Sequence, residues 1–433
     1  MIETLKQTAL KALAALTEAG ADKGLCSVQY KITHEFNVDG GEFSLFRTLF
    51  DKQLKLNAVA GGRKGTVTQN RYDDETLRSA AATCLSAAES AEPDENWDFA
   101  PMAENTDVTR GATDPDLDRL FFRCKELLEQ VKERFPKVMI EQFVVSHEEI
   151  FHVVADTCGV LHSTHEGSYT LIMMYSGHEG DRASSFMIST AQTADLDRPL
   201  IELASIEHDL ASAEKQIDTV NPSGKFEGTM VLTPDCVSDL LGSLLMQFAG
   251  EDGLLNGTSP WKDKLHQPVA DERITIGLAP LDERIVCGKR VTEEGFVAEN
   301  FDIIHNGRLN AFALGLYAAN KLHLPRGKND SYNMVMAPGD KPLDEIIASI
   351  DRGILVGRFS GGKPASNGDF SGVAKNSFLI ENGKVGAALS ETMISGNLAD
   401  MLFRLRGVSA EQVQSGYTVL PYAAFDGITI SGK

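Results

Sequence analysis

The stretch from Leu355 to Leu405 constrains the fold more than any other. Ser360-Gly361-Gly362 and Asn367-Gly368-Asp369 are turn chemistry, where glycine reaches positive φ freely and Asn or Asp bonds to nearby backbone. Phe378-Leu379-Ile380 reads as a short apolar strand, and Glu381-Asn382-Gly383-Lys384 as the turn that closes a hairpin. Ser395-Gly396-Asn397 then precedes Leu398, Met401, Leu402 and Leu405, which recur at helical spacing. A glycine-rich loop, a hairpin and a capped helix follow one another, with no His or Cys among them.

Upstream, Ile2, Leu5, Ala9, Leu13 and Leu16 share one helical face, and Gly20 is a stop. Residues 26–72 alternate in the β manner between Asp39-Gly40-Gly41 and Gly61-Gly62 turns, which predicts an antiparallel meander. Asp73 and Asp74 start a second helix. From Glu89 to Asp118 ten acidic residues stand against one base, Arg110, and three prolines, the pattern of a solvated connector draped over the surface. Asp114-Pro115 opens a helix, strands follow at 138–146, 150–156, 168–176 and 183–191, and Pro199 starts another helix. Thr233-Pro234-Asp235 is an N-cap, an N1 proline and an acidic first turn before Val237, Leu240, Leu241, Leu244, Leu245 and Phe248. The expected fold is α+β: N-terminal antiparallel-sheet-plus-helix units at 1–90 and 115–222 around a 91–114 connector, then a β-rich domain at 223–433.

A length of 433 residues is too long for one core. The net charge of −21 argues against direct nucleic-acid binding, which needs clustered Lys and Arg. No apolar run has the length of a membrane span, and Met1 leads into an amphipathic helix, so a cytoplasmic location is expected. Six dispersed cysteines without a CxxC pair read as buried thiols.

The tempting chemical motif is His147-Glu148-Glu149-Ile150-Phe151-His152, which spells H-E-x-x-x-H. On a helix such a sequence places two imidazoles on one metal, with Glu as the base. Here Phe143-Val144-Val145 and Val153-Val154 favour strands, and Ser146–Glu149 reads as the turn between them. Along one strand, positions five apart face opposite ways. His162-Ser163-Thr164-His165-Glu166 reads as a surface turn rather than a ligand cluster. Gly361-Gly362-Lys363 lacks the spacing of a phosphate loop. Asn367, Asp369, Asn376 and Asn397 are candidate peptide contacts beside glycines that expose backbone, where an extended peptide would add as a strand; the competing reading is that they close turns.

The ordered motifs GDFSG, FLIENGKV and ETMISGNLADML resemble the C-terminal signature of the TldD/PmbA family, described as modulators of DNA gyrase and as peptidases of small peptides. The resemblance continues through TMVLTPDCVSDLLGSLL and more faintly through the N-terminal half. Metal-bearing members place HExxxH after the paired leucines of that segment and a Cys near the C-terminus. Matching Leu240-Leu241 puts Gly242 and Ser243 at the first His and the Glu, Gln247 at the second His, and no Cys within 407–433. The resemblance therefore implies a PmbA-type subunit without a cofactor of its own. It would dimerise with itself or with a metal-bearing TldD-like subunit, and would enclose peptide substrates that the partner hydrolyses. The alternatives are an autonomous metallopeptidase using His147 and His152, or a non-catalytic binding protein acting on DNA gyrase.

Overall fold

The computed structural model describes residues 1–390 and 392–432, so Glu391 of the signature lies outside the described residues. Helix α1 (Ile2–Ala19) stops at Gly20, whose φ of 107° only glycine adopts cheaply. Strands β1 (Lys23–Asp39), β2 (Glu42–Ala60) and β3 (Arg63–Gln69) form the meander, and α2 (Asp74–Glu89) begins where the Asp73 side chain accepts from Thr76 N. Then come β4 (Asp107–Gly111), α3 (Leu117–Arg134), β5 (Val138–Asp156), β6 (Leu161–Glu179), β7 (Arg182–Ala183), β8 (Met187–Thr193) and α4 (Ile206–Lys215). Because β1 pairs with β5, strands from both N-terminal stretches join one sheet in the order β3-β2-β1-β5-β6-β4, with β7 and β8 also on β6. Cys26, Val28, Phe36 and Val38 share one face by strand alternation. At one end that face packs on α1 and α2 through Leu5, Leu16 and Leu77; at the other it packs on α3 and α4 through Leu120, Leu127 and Leu210.

The second half starts with β9 (Thr219–Val220), β10 (Lys225–Leu232), α5 (Pro234–Phe248) and α6 (Glu251–Leu255). After β11 (Ile276–Leu278), β12 (Phe301–His305), β13 (Arg308–Leu309), α7 (Leu316–Leu322), β14 (Met334–Met336) and α8 (Leu343–Ala348), the chain enters its signature region. There β15 (Arg352–Ser360), β16 (Asp369–Glu381), β17 (Lys384–Leu389), β18 (Thr392–Asn397), α9 (Leu398–Phe403), β19 (Leu405–Gln414) and β20 (Val419–Ser431) follow. Strand β18 pairs with both β16 and β20, so β20-β10-β15-β16-β18 closes into a ring. Helix α5 packs on β10, β15 and β20 through its predicted apolar stripe. The Glu381–Lys384 hairpin turn has Asn382 and Gly383 at φ of 50° and 74°, the left-handed pair such a turn needs. The mixture of sheets and packed helices is the α+β class expected.

Three local expectations are corrected. Residues 146–149 are not a turn: β5 runs unbroken from Val138 to Asp156, paired with β1 on one side and β6 on the other. Nor is 162–166 a surface turn; it lies inside β6, with His162, Ser163 and Thr164 buried. In both places pairing to other strands, not local composition, holds polar residues in the sheet: β1, more than a hundred residues earlier, beside 146–149, and β4 and β5 beside 162–166. The acidic connector is more than solvated chain. Phe99 and Ala100 are buried, Trp97 stacks on Tyr317 at 3.7 Å, and Asp94 accepts from Lys321 (2.7 Å) and Tyr317 (2.9 Å). Connector and α7 thereby clip the two halves together. Cys26, Cys84, Cys124 and Cys236 are buried free thiols, while Cys158 and Cys287 are half-buried.

Candidate functional site

The C-terminal end of α5 and the loop between β15 and β16 meet through the residues that the sequence singles out. Gln247 Nε2 donates to the Pro364 carbonyl at 3.1 Å, which ties the loop to the helix. Gly368, at φ 92°, seats the loop against Phe248: a Cβ there would lie 3.0 Å from Phe248 Cζ. Asp369 and Asn397 are register partners across β16 and β18. Asn397 Nδ2 donates to the Asn367 carbonyl (3.0 Å) and to Asp369 Oδ1 (2.9 Å), while its Oδ1 caps α9 by accepting from Ala399 N (3.0 Å) and Asp400 N (3.2 Å). Asn367 donates to Asp369 Oδ2 at 2.8 Å, and these amides hold the Asp369 carboxyl below its usual range. Asn367, Asp369 and Asn397 therefore come together, and their side chains are engaged with one another. Asn376 does not join them. It is buried at φ 47°, where its Oδ1 accepts from Arg358 Nε at 3.3 Å.

On α5 the half-buried Gly242 faces Met334, whose Cε would stand 3.5 Å from a Cβ at that position. Gly242 and Ser243 present no imidazole or carboxylate, and the Gln247 amide is bonded to backbone. A thioether and an amide are poor zinc ligands, so this set does not fit a zinc ion. Among the described residues no group of three or more His, Cys, Asp and Glu converges as a metal cage. The other motif does not assemble either. His147 is fully buried on the helix-covered face of the sheet, with Nε2 donating to the Ala112 carbonyl at 2.5 Å. His152 sits on the opposite face, 2.8 Å from Ser27 Oγ, and burial lowers its pKa to about 4. Glu148 is held by Lys31 at 3.0 Å.

Sequence reasoning missed a second cleft, between α4 with β8 and the start of α5. Asp209, Asp235, His208, Arg358, Asn376 and Tyr422 line it. They come from separate stretches of chain, and only Asp235, as a helix-start acid, and Asn376, as a candidate peptide contact, carry a local signal in the sequence. Arg358 lies over the Phe186 ring at 4.3 Å and donates to Ser185 Oγ at 3.0 Å. Desolvation by the cleft wall, then the Asp209 and Asp239 charges, push Asp235 above the usual carboxylate range, while its exposure at the cleft mouth and the α5 N-terminus work the other way. Asp209 accepts from Ser189 (2.9 Å) and Ser205 (2.8 Å), yet burial raises it to about 6. The folded protein therefore keeps a proton that the unfolded chain has released above pH ~4. Stability present below that pH falls as pH rises from about 4 through 6, by about 3 kcal/mol. Asp209→Asn should abolish this fall and leave the variant more stable than the parent at pH 8, as measured by urea unfolding across pH 4.5–8.

Residues 224–432 match the family model described as the PmbA/TldA metallopeptidase C-terminal domain. The C-terminal half of the chain is a match to the TldD/PmbA family. It is similar to metalloprotease PmbA of Escherichia coli O157:H7, 23% identical over 414 residues that cover 89% of this chain and 86% of that one. A metalloprotease of Methanocaldococcus jannaschii is 25% identical over 213 residues, 45% of this chain and 46% of its own length. The chain thus spans less than half the length of that relative. In fold, the chain is similar to a Bacteroides thetaiotaomicron protein described as a candidate modulator of DNA gyrase, with a TM-score of 0.87, 21% identity and full coverage of both chains. The matched C-terminal half and these relatives support a peptidase-family member.

Proposed function

We propose that this chain is a PmbA-like subunit of a TldD/PmbA-type peptidase that has no catalytic metal of its own and helps to enclose and grip peptide substrates. The observation that carries the reading is the α5 surface: Gly242 and Ser243 stand where the resemblance places a His and a Glu, and Gln247 spends its amide on Pro364. Its relatives, PmbA included, are named metalloproteases, and the reading without a metal rests on the chemistry of these three residues alone. The alignment with PmbA over most of both chains supports the PmbA-type assignment. The loop carrying Asn367 and Asp369, pinned to α5, is the surface we assign to peptide, which would bond through exposed main-chain groups. Hydrolysis would belong to a metal-bearing TldD-like partner. No helix among the described residues is long and apolar enough to cross a membrane, which fits a cytoplasmic assembly. Co-expression with such a partner should give peptidase activity that neither chain has alone. Chelator-sensitive activity from this chain by itself would overturn the proposal.

The similarity to the candidate gyrase modulator is the observation behind a second reading, a non-catalytic binding protein. With a net charge of −21 it would act on protein rather than DNA. Recovery of gyrase subunits, but no TldD-like chain, by the tagged protein would favour it.

A further inference from the structure

The cleft between α4, β8 and the start of α5 gathers polar groups that the fold leaves without partners. Among the described residues the Asp235 carboxylate and the Tyr422 and Ser212 hydroxyls make no hydrogen bond, and all three line the cleft. Asp209 commits Oδ2 to Ser189 (2.9 Å) and Ser205 (2.8 Å), and its Oδ1 has no partner among the described residues. Neither aspartate forms an ion pair there. Arg358 is engaged elsewhere: it covers the Phe186 ring at 4.3 Å and donates to Ser185 Oγ (3.0 Å) and Asn376 Oδ1 (3.3 Å). Polar groups converging on a cleft without partners mark a place that a ligand completes. The free volume of about 40 Å³ holds a small headgroup and little more.

We propose that this cleft binds a primary ammonium group of a peptide, with the Asp235 carboxylate as counter-ion and Asp209 Oδ1 and the Tyr422 hydroxyl as further acceptors. An ammonium carries three N–H donors and no acceptor, which matches this set. Its charge is the one that both aspartates lack beside them. The group sits either at the α-amino end of the peptide or on a lysine side chain. Helix α5 gives the bound chain a direction. Asp235, Asp239, Gly242 and Met246 share one helix face, and the two acids and Met246 are exposed. That face runs about 16 Å toward the tie between Gln247 and Pro364, the length of about five extended residues. A peptide held by its ammonium at the start of α5 would thus reach the loop of Asn367 and Asp369.

The inference rests on the peptide-grip reading and names the group that is gripped. Titration calorimetry of the full chain at pH 7, where an α-amino group keeps its proton, tests it with three hexapeptides. One is built of Gly, Ala and Ser with a free amino end, the second is its N-acetyl form, and the third is N-acetylated with one lysine. The free peptide should bind, and acetylation should weaken binding tenfold or more. Recovery of affinity by the lysine peptide would assign the cleft to side chains as well, and its absence to the α-amino end alone. Asp235→Asn and Tyr422→Phe should each weaken the ammonium-bearing peptide, leaving the far-UV spectrum and the affinity of the acetylated Gly/Ala/Ser peptide unchanged. Equal binding of the free and acetylated peptides, no binding of any, or full affinity in Asp235→Asn would overturn the proposal. The titration needs neither metal nor partner, so those results would leave the co-expression test of the enclosure reading standing.

Discussion

Gly167→Ala is expected to destabilise the protein by about 3 kcal/mol, enough to lower the unfolding midpoint by several degrees. The reason is steric rather than conformational. A Cβ at Gly167 would lie 1.8 Å from the Ala112 oxygen and 2.2 Å from its carbon, and backbone cannot move aside as the tip of a side chain can. The parallel pair of β4 and β6 closes at Gly111 and Gly167, and Ala112 N donates to the Gly167 carbonyl at 2.8 Å. The same Ala112 oxygen accepts from His147 Nε2, so displacing it also strands a buried imidazole whose Nδ1 is already without a partner. Gly242→Ala is the internal control. Its Cβ would meet only Met334 Cε at an ordinary 3.5 Å, in a helix interior where alanine is favoured over glycine by about 1 kcal/mol. That variant should be slightly more stable than the parent in the same thermal unfolding measurement.

Trp261→Ala is expected to cost about 3–5 kcal/mol, in the range measured for deleting a buried aromatic. Trp261 is 1% exposed and meets Phe248 edge to face at 5.3 Å. Ser259 ties the two together, accepting from Trp261 N at 3.0 Å and donating to the Phe248 carbonyl at 2.5 Å. Phe248 is also the surface on which Gly368 seats the β15–β16 loop, so the cavity would loosen that loop as well as the core. Trp97 remains as the fluorophore, since the chain has two tryptophans, and thermal unfolding followed by its emission reads the loss.

Where interactions are local, the sequence spelled out the fold. Thr233-Pro234-Asp235 and the leucines at helical spacing marked α5, and Asn382-Gly383 marked the β16–β17 hairpin, because caps and turns are set within a few residues. His147–His152 was legible only in part. Alternation placed the two imidazoles on opposite faces, but the polar run Ser146–Glu149 suggested a turn where β1 and β6 hold a straight strand from both sides. The cleft of Asp209, Asp235 and Arg358 was invisible, since three separate elements bring these groups together and none carries a motif. Of the candidate peptide contacts, Asn367, Asp369 and Asn397 share a site because β16 and β18 pair in register there. Asn376 lies seven residues farther along β16 than Asp369, so it reaches the other cleft instead.

The central claim, that α5 has lost the means to hold a catalytic metal, is tested most directly by metal analysis of the isolated full chain after growth in zinc and exhaustive dialysis. The account predicts no stoichiometric zinc, and the same residual content in a Gln247→Ala variant. One tightly held equivalent per chain, lost when Gln247 or its neighbours on α5 are replaced, would contradict it.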